Sequence, residues 1–448
     1  MKRSFADILQ GLDSDRAQKV ARKLPEWAAV GAEIPSALAL EQCSSSATAR
    51  YKAGLAAAAA KLRAARYPSQ PDGWAPPVHE ATGGYGFAAA LPVPASQAKI
   101  NTILDLTGGL GVDSWAFSQV ADRVVYFERK EELAEAARRN FERLGAANIE
   151  VRCETVTPET ELPEADLIYA DPARRDAVGR KVFLLEDCTP DILTLLPMLL
   201  QKAPTVLLKL SPMADLAMLA DRLGPALREI HVVELDGEVK ELLCLLRRDT
   251  EPAEPGIVIV RLSGQAAAAA DLRFAHPSHA SRRGPLPFTK PRVATGLPAA
   301  PPAPEDCLRF RLSEEREPEV QYAAEVRAGD VLLEPCAALL KAGAFRLPCA
   351  RWGLLKLAPS THLYLAAAAP DNPFFKAWRV REVLPFGAAA FRQLKQRYAR
   401  ADVTSRNMPL GSAELQKKIG VAPGGAVHIF SCRLADSSSI LIVTAPAG

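Results

Sequence analysis

Two stretches carry residues whose types and spacing could do chemistry. The first, Asn101–Trp115, reads Asn-Thr-Ile-Leu-Asp-Leu-Thr-Gly-Gly-Leu-Gly-Val-Asp-Ser-Trp. Ile103–Leu106 is short, apolar and β-prone, which predicts a buried strand. Gly108, Gly109 and Gly111 follow at once; glycine tolerates positive φ and lets a backbone approach a ligand. Asp113-Ser114 are expected to cap a helix from about Trp115. Strand, glycine turn and helix N-terminus together make a nucleotide cradle; an ordinary glycine turn is the plainer alternative. Glu128 lies 23 positions past Asp105, the spacing at which a carboxylate grips the two hydroxyls of a ribose. Its alternative is a charge at the start of the helix expected from Lys130. The second stretch is Asp171-Pro-Ala-Arg-Arg-Asp176, after an expected strand Asp166–Ala170. A carboxylate there can accept a hydrogen bond or a proton from a reacting group, and Pro172 fixes the backbone beside it. An acid-proline turn with its arginines in solvent is the alternative.

The nucleotide is the next question. A dinucleotide fingerprint wants a third glycine where this chain has Ser114. Asp105 would also sit badly beside a pyrophosphate, but suits a cationic cargo without phosphate. The stretch resembles motif I of class I S-adenosylmethionine (SAM)-dependent methyltransferases, in the Asp-x-Thr-x-Gly-Leu-Gly-x-Asp form of a small-subunit rRNA guanine-N2 methyltransferase. That resemblance implies a SAM site built from Asp105, Thr107, Gly108, Gly109, Gly111, Asp113, Glu128 and Arg129. Glu154 and Thr155 would flank the adenine, and Asp171 would lie alongside. Asp171-Pro172 takes the place of motif IV, where base-modifying relatives carry Asp/Asn-Pro-Pro-aromatic. The catalytic set is then Asp171, Pro172 and Arg174. Arg174 stands at the aromatic position, which removes the ring that stacks on a flipped adenine. Arg174-Arg175 suit a phosphate or a guanine edge better.

These residues need elements to position them. Helix Trp115–Ala121, strand Arg123–Phe127, helix Lys130–Leu144 closed by Gly145, strand Ile149–Cys153 and strand Thr205–Leu210 make a βαβ series. Thr189 and Pro190 are read as the cap and first residue of a further helix. Ile230–Leu235 and Lys240–Leu246 are joined through Asp236-Gly237, a hairpin signal. An antiparallel last pair belongs to methyltransferase sheets rather than dinucleotide-binding ones. The expected class is therefore α/β, a Rossmann-like class I methyltransferase core with a seven-stranded sheet and an antiparallel last strand. Ahead of it, residues 1–66 read as helices; Leu38–Arg66 is rich in good helix formers, and its three serines suit a helix start better than a helix interior. Within that stretch, Glu41–Ser46 either caps a surface helix or lines the mouth of the pocket.

Composition sets the outer limits. The chain has 448 residues, 48% hydrophobic and 24% charged, with a net charge of +3. It is long enough for two to four domains, and any nucleic-acid face must be local. Eight scattered cysteines and six histidines show no metal spacing, which fits a reducing cytosol and predicts no metal. No apolar run is long enough for a membrane span, and the opening Met-Lys-Arg-Ser-Phe-Ala-Asp carries no secretion signal. Residues 376–406 hold eight Lys/Arg against two acids. Arg392, Lys395, Arg397, Arg400 and Arg406 are the candidate RNA contacts, most of them on an expected helix Phe391–Arg400; a solvated face is the alternative. The expected domains are an N-terminal helical region (1–66), a Pro/Gly-rich linker (67–99), the SAM-binding core (100–250), a linker with an Ala/Pro-rich insertion (251–327), a segment at 328–372 and a domain at 373–448. With Leu40–Ala53, Lys209–Met213, Glu334–Phe345 and Asp402–Leu410, the chain resembles a bacterial class I methyltransferase family with a small ferredoxin-like piece at 328–372 and a THUMP-like domain at 373–448. The resemblance implies a cytoplasmic, SAM-dependent enzyme that methylates a base nitrogen of RNA, tRNA first and rRNA second. The rivals are a small-molecule methyltransferase and an RNA-binding protein that keeps the fold without turnover.

Overall fold

The structure is a computed structural model, described here for residues 5–66, 100–174, 185–248, 251–264 and 307–447. The chain divides into two units: Met1–Ile230 with Glu241–Ala253 and Leu262–Ala303, and His231–Lys240 with Glu254–Arg261 and Pro304–Gly448.

The first unit holds strands β1 (Ile100–Asp105), β2 (Ala121–Phe127), β3 (Ile149–Arg152), β4 (Leu167–Ala170) and β5 (Thr205–Leu210), with the start of β6 (Leu227–Leu235) and the Glu241–Arg247 part of β7 (Glu238–Arg247). Their order is β6-β7-β5-β4-β1-β2-β3. Strands β3, β2, β1, β4 and β5 pair in parallel, and β7 pairs antiparallel with β5. The α/β class and the reversed strand are as expected, but among the described residues the sheet continues beyond β6 through Gly256–Leu262 and Cys307–Arg311, nine strands rather than the seven expected. Ile103, Leu104, Val124–Phe127, Leu167–Ala170 and Val206–Leu208 are all buried, as continuous apolar runs in a covered parallel sheet should be. Asp236 and Gly237 both have positive φ, at 52° and 85°, which the two-residue hairpin turn requires.

Helices α1 (Phe5–Lys23), α2 (Pro25–Ala29), α3 (Ala37–Gln42) and α4 (Ser46–Arg66) precede the sheet. The helical stretch Leu38–Arg66 is thus two helices. The serine run ends one and starts the other. The Thr48 amide donates to Ser45 Oγ and the Ser45 amide to Thr48 Oγ1, both at 3.2 Å, a reciprocal cap that satisfies two helix-end donors. Among the sheet's own helices, α5 (Val112–Ser118) starts three residues before its expected position. Gly111 is its N-cap at φ 92°, and no side chain caps it. Asp113 and Ser114 lie inside the first turn and point elsewhere, as described below. Helix α6 is Glu131–Arg143, α7 Ile192–Lys202 and α8 Leu216–Leu223. The cap of α7 is Asp191, whose carboxylate accepts from the Thr194 amide at 3.2 Å. Thr189, expected in that role, instead pairs with Ala173 in a two-residue ladder.

The second unit contains β8 (Gly256–Leu262) paired antiparallel with β9 (Cys307–Arg311). The sequence reading put 307–311 in a linker. Its Leu308 and Phe310 are buried while Arg309 and Arg311 face out, a short period-2 strand. Helices α9 (Leu312–Arg316), α10 (Ala337–Lys341) and α11 (Leu347–Trp352) follow. A seven-stranded sheet has the order β11 (Leu355–Ala358), β12 (Thr361–Ala366), β10 (Val331–Pro335), β13 (Phe375–Pro385), β16 (Ser439–Pro446), β15 (His428–Arg433) and β14 (Asp402–Arg406). One core, with Leu332, Leu363, Trp378 and Phe430, fills one side. Another joins Ile429, Leu441 and Val443 to Leu394 of α12 (Ala388–Arg397) and to Leu415 and Ile419 of α13 (Ser412–Ile419).

Candidate active site

The glycine turn follows β1 as expected, but its glycines serve different partners. A Cβ on Gly108 would fall 2.0 Å from the Tyr126 ring, and one on Gly111 2.6 Å from Phe141. Those two positions are glycine because buried aromatic rings occupy the space. Gly109, at φ 55°, has nothing closer than the Thr107 carbonyl oxygen at 3.8 Å, so its outer face is free for a ligand. The Tyr126 hydroxyl donates to the Gly109 carbonyl at 2.6 Å and pins the loop from below.

Glu128 follows β2 and is half-buried. Its Oε2 accepts from the Gly109 amide at 2.9 Å and its Oε1 from the Lys130 amide at 2.8 Å. The carboxylate therefore braces the glycine turn and the start of α6 at once. Each oxygen keeps a further lone pair that a diol could use. Arg129 is exposed beside it, and Glu154 and Thr155 are exposed after β3, where the Glu154 amide donates to the Glu128 carbonyl at 3.1 Å.

Asp105 is buried at the end of β1. Ser114 Oγ donates to it at 2.5 Å and the Thr107 amide at 3.1 Å. Burial pushes its carboxyl up to about 7, against those two hydrogen bonds and with the Asp113 charge adding to the rise. Both oxygens thus face protein donors, so a ligand cation here would meet backbone carbonyls or water rather than the bare carboxylate.

Asp113 joins a charged cluster that the sequence reading missed. Its Oδ2 accepts from Ser44 Oγ at 2.8 Å and from the Tyr169 hydroxyl at 2.9 Å, and its Oδ1 lies 3.2 Å from Lys52 Nζ. Burial opposes its charge, yet Lys52, Lys209 and these hydrogen bonds hold it below the usual carboxylate range. Lys52 is fully buried and also reaches both Glu241 oxygens at 2.9 and 3.0 Å and Ser44 Oγ at 2.9 Å. Lys209, near the end of β5, makes an ion pair with Asp171. The Asp171 amide donates to Thr107 Oγ1 at 2.6 Å, tying the two motifs together. Lys209 carried one sequence signal: a charge in a strand whose other residues are all buried. Ser44 places the Glu41–Ser46 segment against Asp113. Pro172 is buried, and Arg174 pairs with Cys188 in the two-residue ladder; Arg175 and Asp176 lie outside the described residues.

In the second unit Arg392, Lys395, Arg397 and Arg400 are exposed. Helix α12 ends at Arg397, so Arg400 follows the helix, where Tyr398 turns into extended backbone. Arg397 pairs with Glu382 on β13. Arg406 is half-buried and lies 3.3 Å from Glu334. The described residues contain no cluster of His, Cys, Asp and Glu that could hold a metal, and no helix long and apolar enough to cross a membrane. Arg282, Arg283, Lys290 and Arg292 lie outside them.

A family model described as a ferredoxin-like domain matches residues 332–373, and one described as THUMP domain-like matches 375–446. No curated protein matches the chain. Among solved structures, the "putative methyltransferase" of Porphyromonas gingivalis W83 superposes with a TM-score of 0.67 at 27% identity, over 97% of this chain and 89% of that one. An rRNA methylase of Streptococcus thermophilus matches 34% of this chain and 87% of its own at 14% identity, TM-score 0.25. The tRNA (m1A58) methyltransferase TrmI of Aquifex aeolicus matches 34% and 63% at 17% identity, TM-score 0.27. The chain has the methyltransferase fold with a ferredoxin-like and a THUMP-like region at its C-terminus.

Proposed function

We propose that this chain is a SAM-dependent methyltransferase acting on a base nitrogen of RNA, with tRNA the first substrate class and rRNA the second. The observation that carries the reading is the joined pair of motifs: an open Gly109 turn braced by Glu128, tied through Thr107 to Asp171 at the neighbouring strand end. The full-length likeness to the Porphyromonas gingivalis structure supports the methyl-transfer part. The THUMP-like match and the exposed cations of α12 support RNA. When bound, SAM supplies an electrophilic methyl on a sulfonium.

The chain's residues do the remaining work. Gly109 leaves room for the methionine moiety, Glu128 takes the ribose, and Glu154 and Thr155 border the adenine. Asp171 and Pro172 hold the acceptor nitrogen in line with the methyl. Holding the two reactants in this geometry lowers the barrier through proximity. Cys188, which the fold pairs with Arg174 beside this motif, is buried, which favours direct attack by nitrogen over covalent catalysis at carbon.

The test is methyl transfer to bulk RNA by Asp171→Ala. The reading expects a loss of at least 100-fold with SAM affinity kept within about threefold. Transfer at the unaltered rate would remove Asp171 from the mechanism.

A further inference from the structure

The residue this structure adds to the site is Lys209. It sits on β5, paired in register with Leu243 of β7, one strand from the end of β4. Its side chain is 13% exposed and that of Asp171 is 35% exposed. A lysine in a buried strand is expensive unless its charge is matched. Here burial disfavours the ammonium, but the carboxylates of Asp171, Glu241 and Asp113 outweigh that and raise its pKa above the ordinary lysine range. Lys209 therefore stays charged, while Lys52 also pairs with Glu241 and Asp113.

The geometry is asymmetric. Lys209 engages Asp171 Oδ2. Among the described residues no donor reaches Asp171 Oδ1, and the backbone below is fixed by Thr107. One carboxylate oxygen is thus engaged by Lys209, while the side chain keeps about a third of its surface exposed.

We propose that Lys209 is a positioning residue for methyl transfer. Its ammonium locks the Asp171 carboxylate in one rotamer, with a single oxygen presented to the acceptor nitrogen as a hydrogen-bond acceptor. The methyl moves from sulfur to nitrogen with its bonding pair left on sulfur. The nitrogen's lone pair forms the new bond, and the excess proton leaves the nitrogen to solvent. Lys209 exchanges no proton in this scheme. It acts through Asp171, and it affects the rate of transfer rather than the binding of either substrate. The inference rests on the methyltransferase reading above.

The experiment compares wild type, Lys209→Met, Lys209→Arg, Asp171→Asn and the double variant Lys209→Met/Asp171→Asn. The substrates are labelled SAM with unmodified total tRNA and rRNA; SAM affinity is measured separately by calorimetry. The expected result is a fall in kcat of about 100-fold for Lys209→Met, with KM for RNA and Kd for SAM each within about threefold. Lys209→Arg, which keeps the charge, should recover to within about tenfold of wild type. The double variant should be no slower than Asp171→Asn alone by more than about threefold, because a residue that acts through another has no separate effect once that partner is altered. If Lys209→Met fails to fold, Lys209→Arg/Asp171→Asn against its two single variants carries the same comparison. Multiplying losses, equal defects in Met and Arg, or SAM affinity falling in step with kcat would each overturn the proposal. An active wild type with Lys209→Met above a third of its kcat overturns it alone, whereas a wild type that labels no RNA overturns the functional reading and this proposal with it.

Discussion

Gly108 and Gly109 are neighbours in one turn, and alanine at each should fail for opposite reasons. At Gly108 the added methyl meets the Tyr126 ring at 2.0 Å. Tyr126 has no exposed surface and its hydroxyl is committed to the Gly109 carbonyl, so the ring cannot move without breaking that bond. Overpacking of a rigid core site costs about 1–3 kcal/mol, and losing a buried hydrogen bond adds about 1 kcal/mol. The sum of about 2–4 kcal/mol corresponds to roughly 4–16 °C in Tm for a domain of this size. At Gly109 the methyl meets nothing closer than 3.8 Å, and only the positive φ of 55° is penalised, by about 1–2 kcal/mol. The same methyl points into the space where the cofactor would lie, which should weaken SAM by 10- to 100-fold, about 1.4–2.7 kcal/mol. Thermal melts and calorimetric titration with SAM separate the two. Gly108→Ala should melt far lower; Gly109→Ala should melt slightly lower and bind poorly. A Gly109→Ala protein that binds SAM like wild type would refute the assignment of that open face to the cofactor. An unshifted Tm for Gly108→Ala would refute the packing argument.

Other substitutions follow from the same geometry. Glu128→Gln should weaken SAM and S-adenosylhomocysteine equally, by about tenfold, because the ribose is common to both; titration with each ligand checks this. Lys52→Met should destabilise the fold by about 3–5 kcal/mol in a denaturant titration, since it strands the buried carboxylates of Asp113 and Glu241. Asp105 binds a proton in the folded state up to about pH 7 but only to about 3.8 when unfolded. Folding is therefore progressively disfavoured as pH rises through that window. The stability of wild type relative to Asp105→Asn should fall by roughly 2–3 kcal/mol between pH 5 and 8, and a flat difference would contradict the burial argument. Arg392→Ala/Lys395→Ala should weaken RNA binding and reduce its salt slope by about 2, as measured by titration at several ionic strengths.

Much of the scaffold was legible because period and turn chemistry act locally. Thr205–Leu210 was read to the residue, and Asp236-Gly237 announced the reversed last strand. What escaped was whatever depended on a distant partner. Nothing near Gly108 or Gly111 shows that Tyr126 and Phe141 claim their space. Lys52 and Glu241 are 189 residues apart in the chain, so their pairing has no local trace. Asp113 and Ser114 look like caps because such residues usually are; here Gly111 starts the helix and frees both side chains to turn inward. The serine run, poor in a helix interior but good at a helix start, does start α4, and Ser45 and Thr48 satisfy each other there.

The central claim is methyl transfer to RNA at the Asp171 site. Its most direct test is to incubate the purified protein with labelled SAM and, separately, unmodified total tRNA, rRNA and a small-molecule extract. The account predicts label in an RNA fraction, tRNA before rRNA, on a base nitrogen after nucleoside digestion, and abolished by Asp171→Ala. Label confined to the small-molecule extract, or no label from a protein that binds SAM, would contradict it.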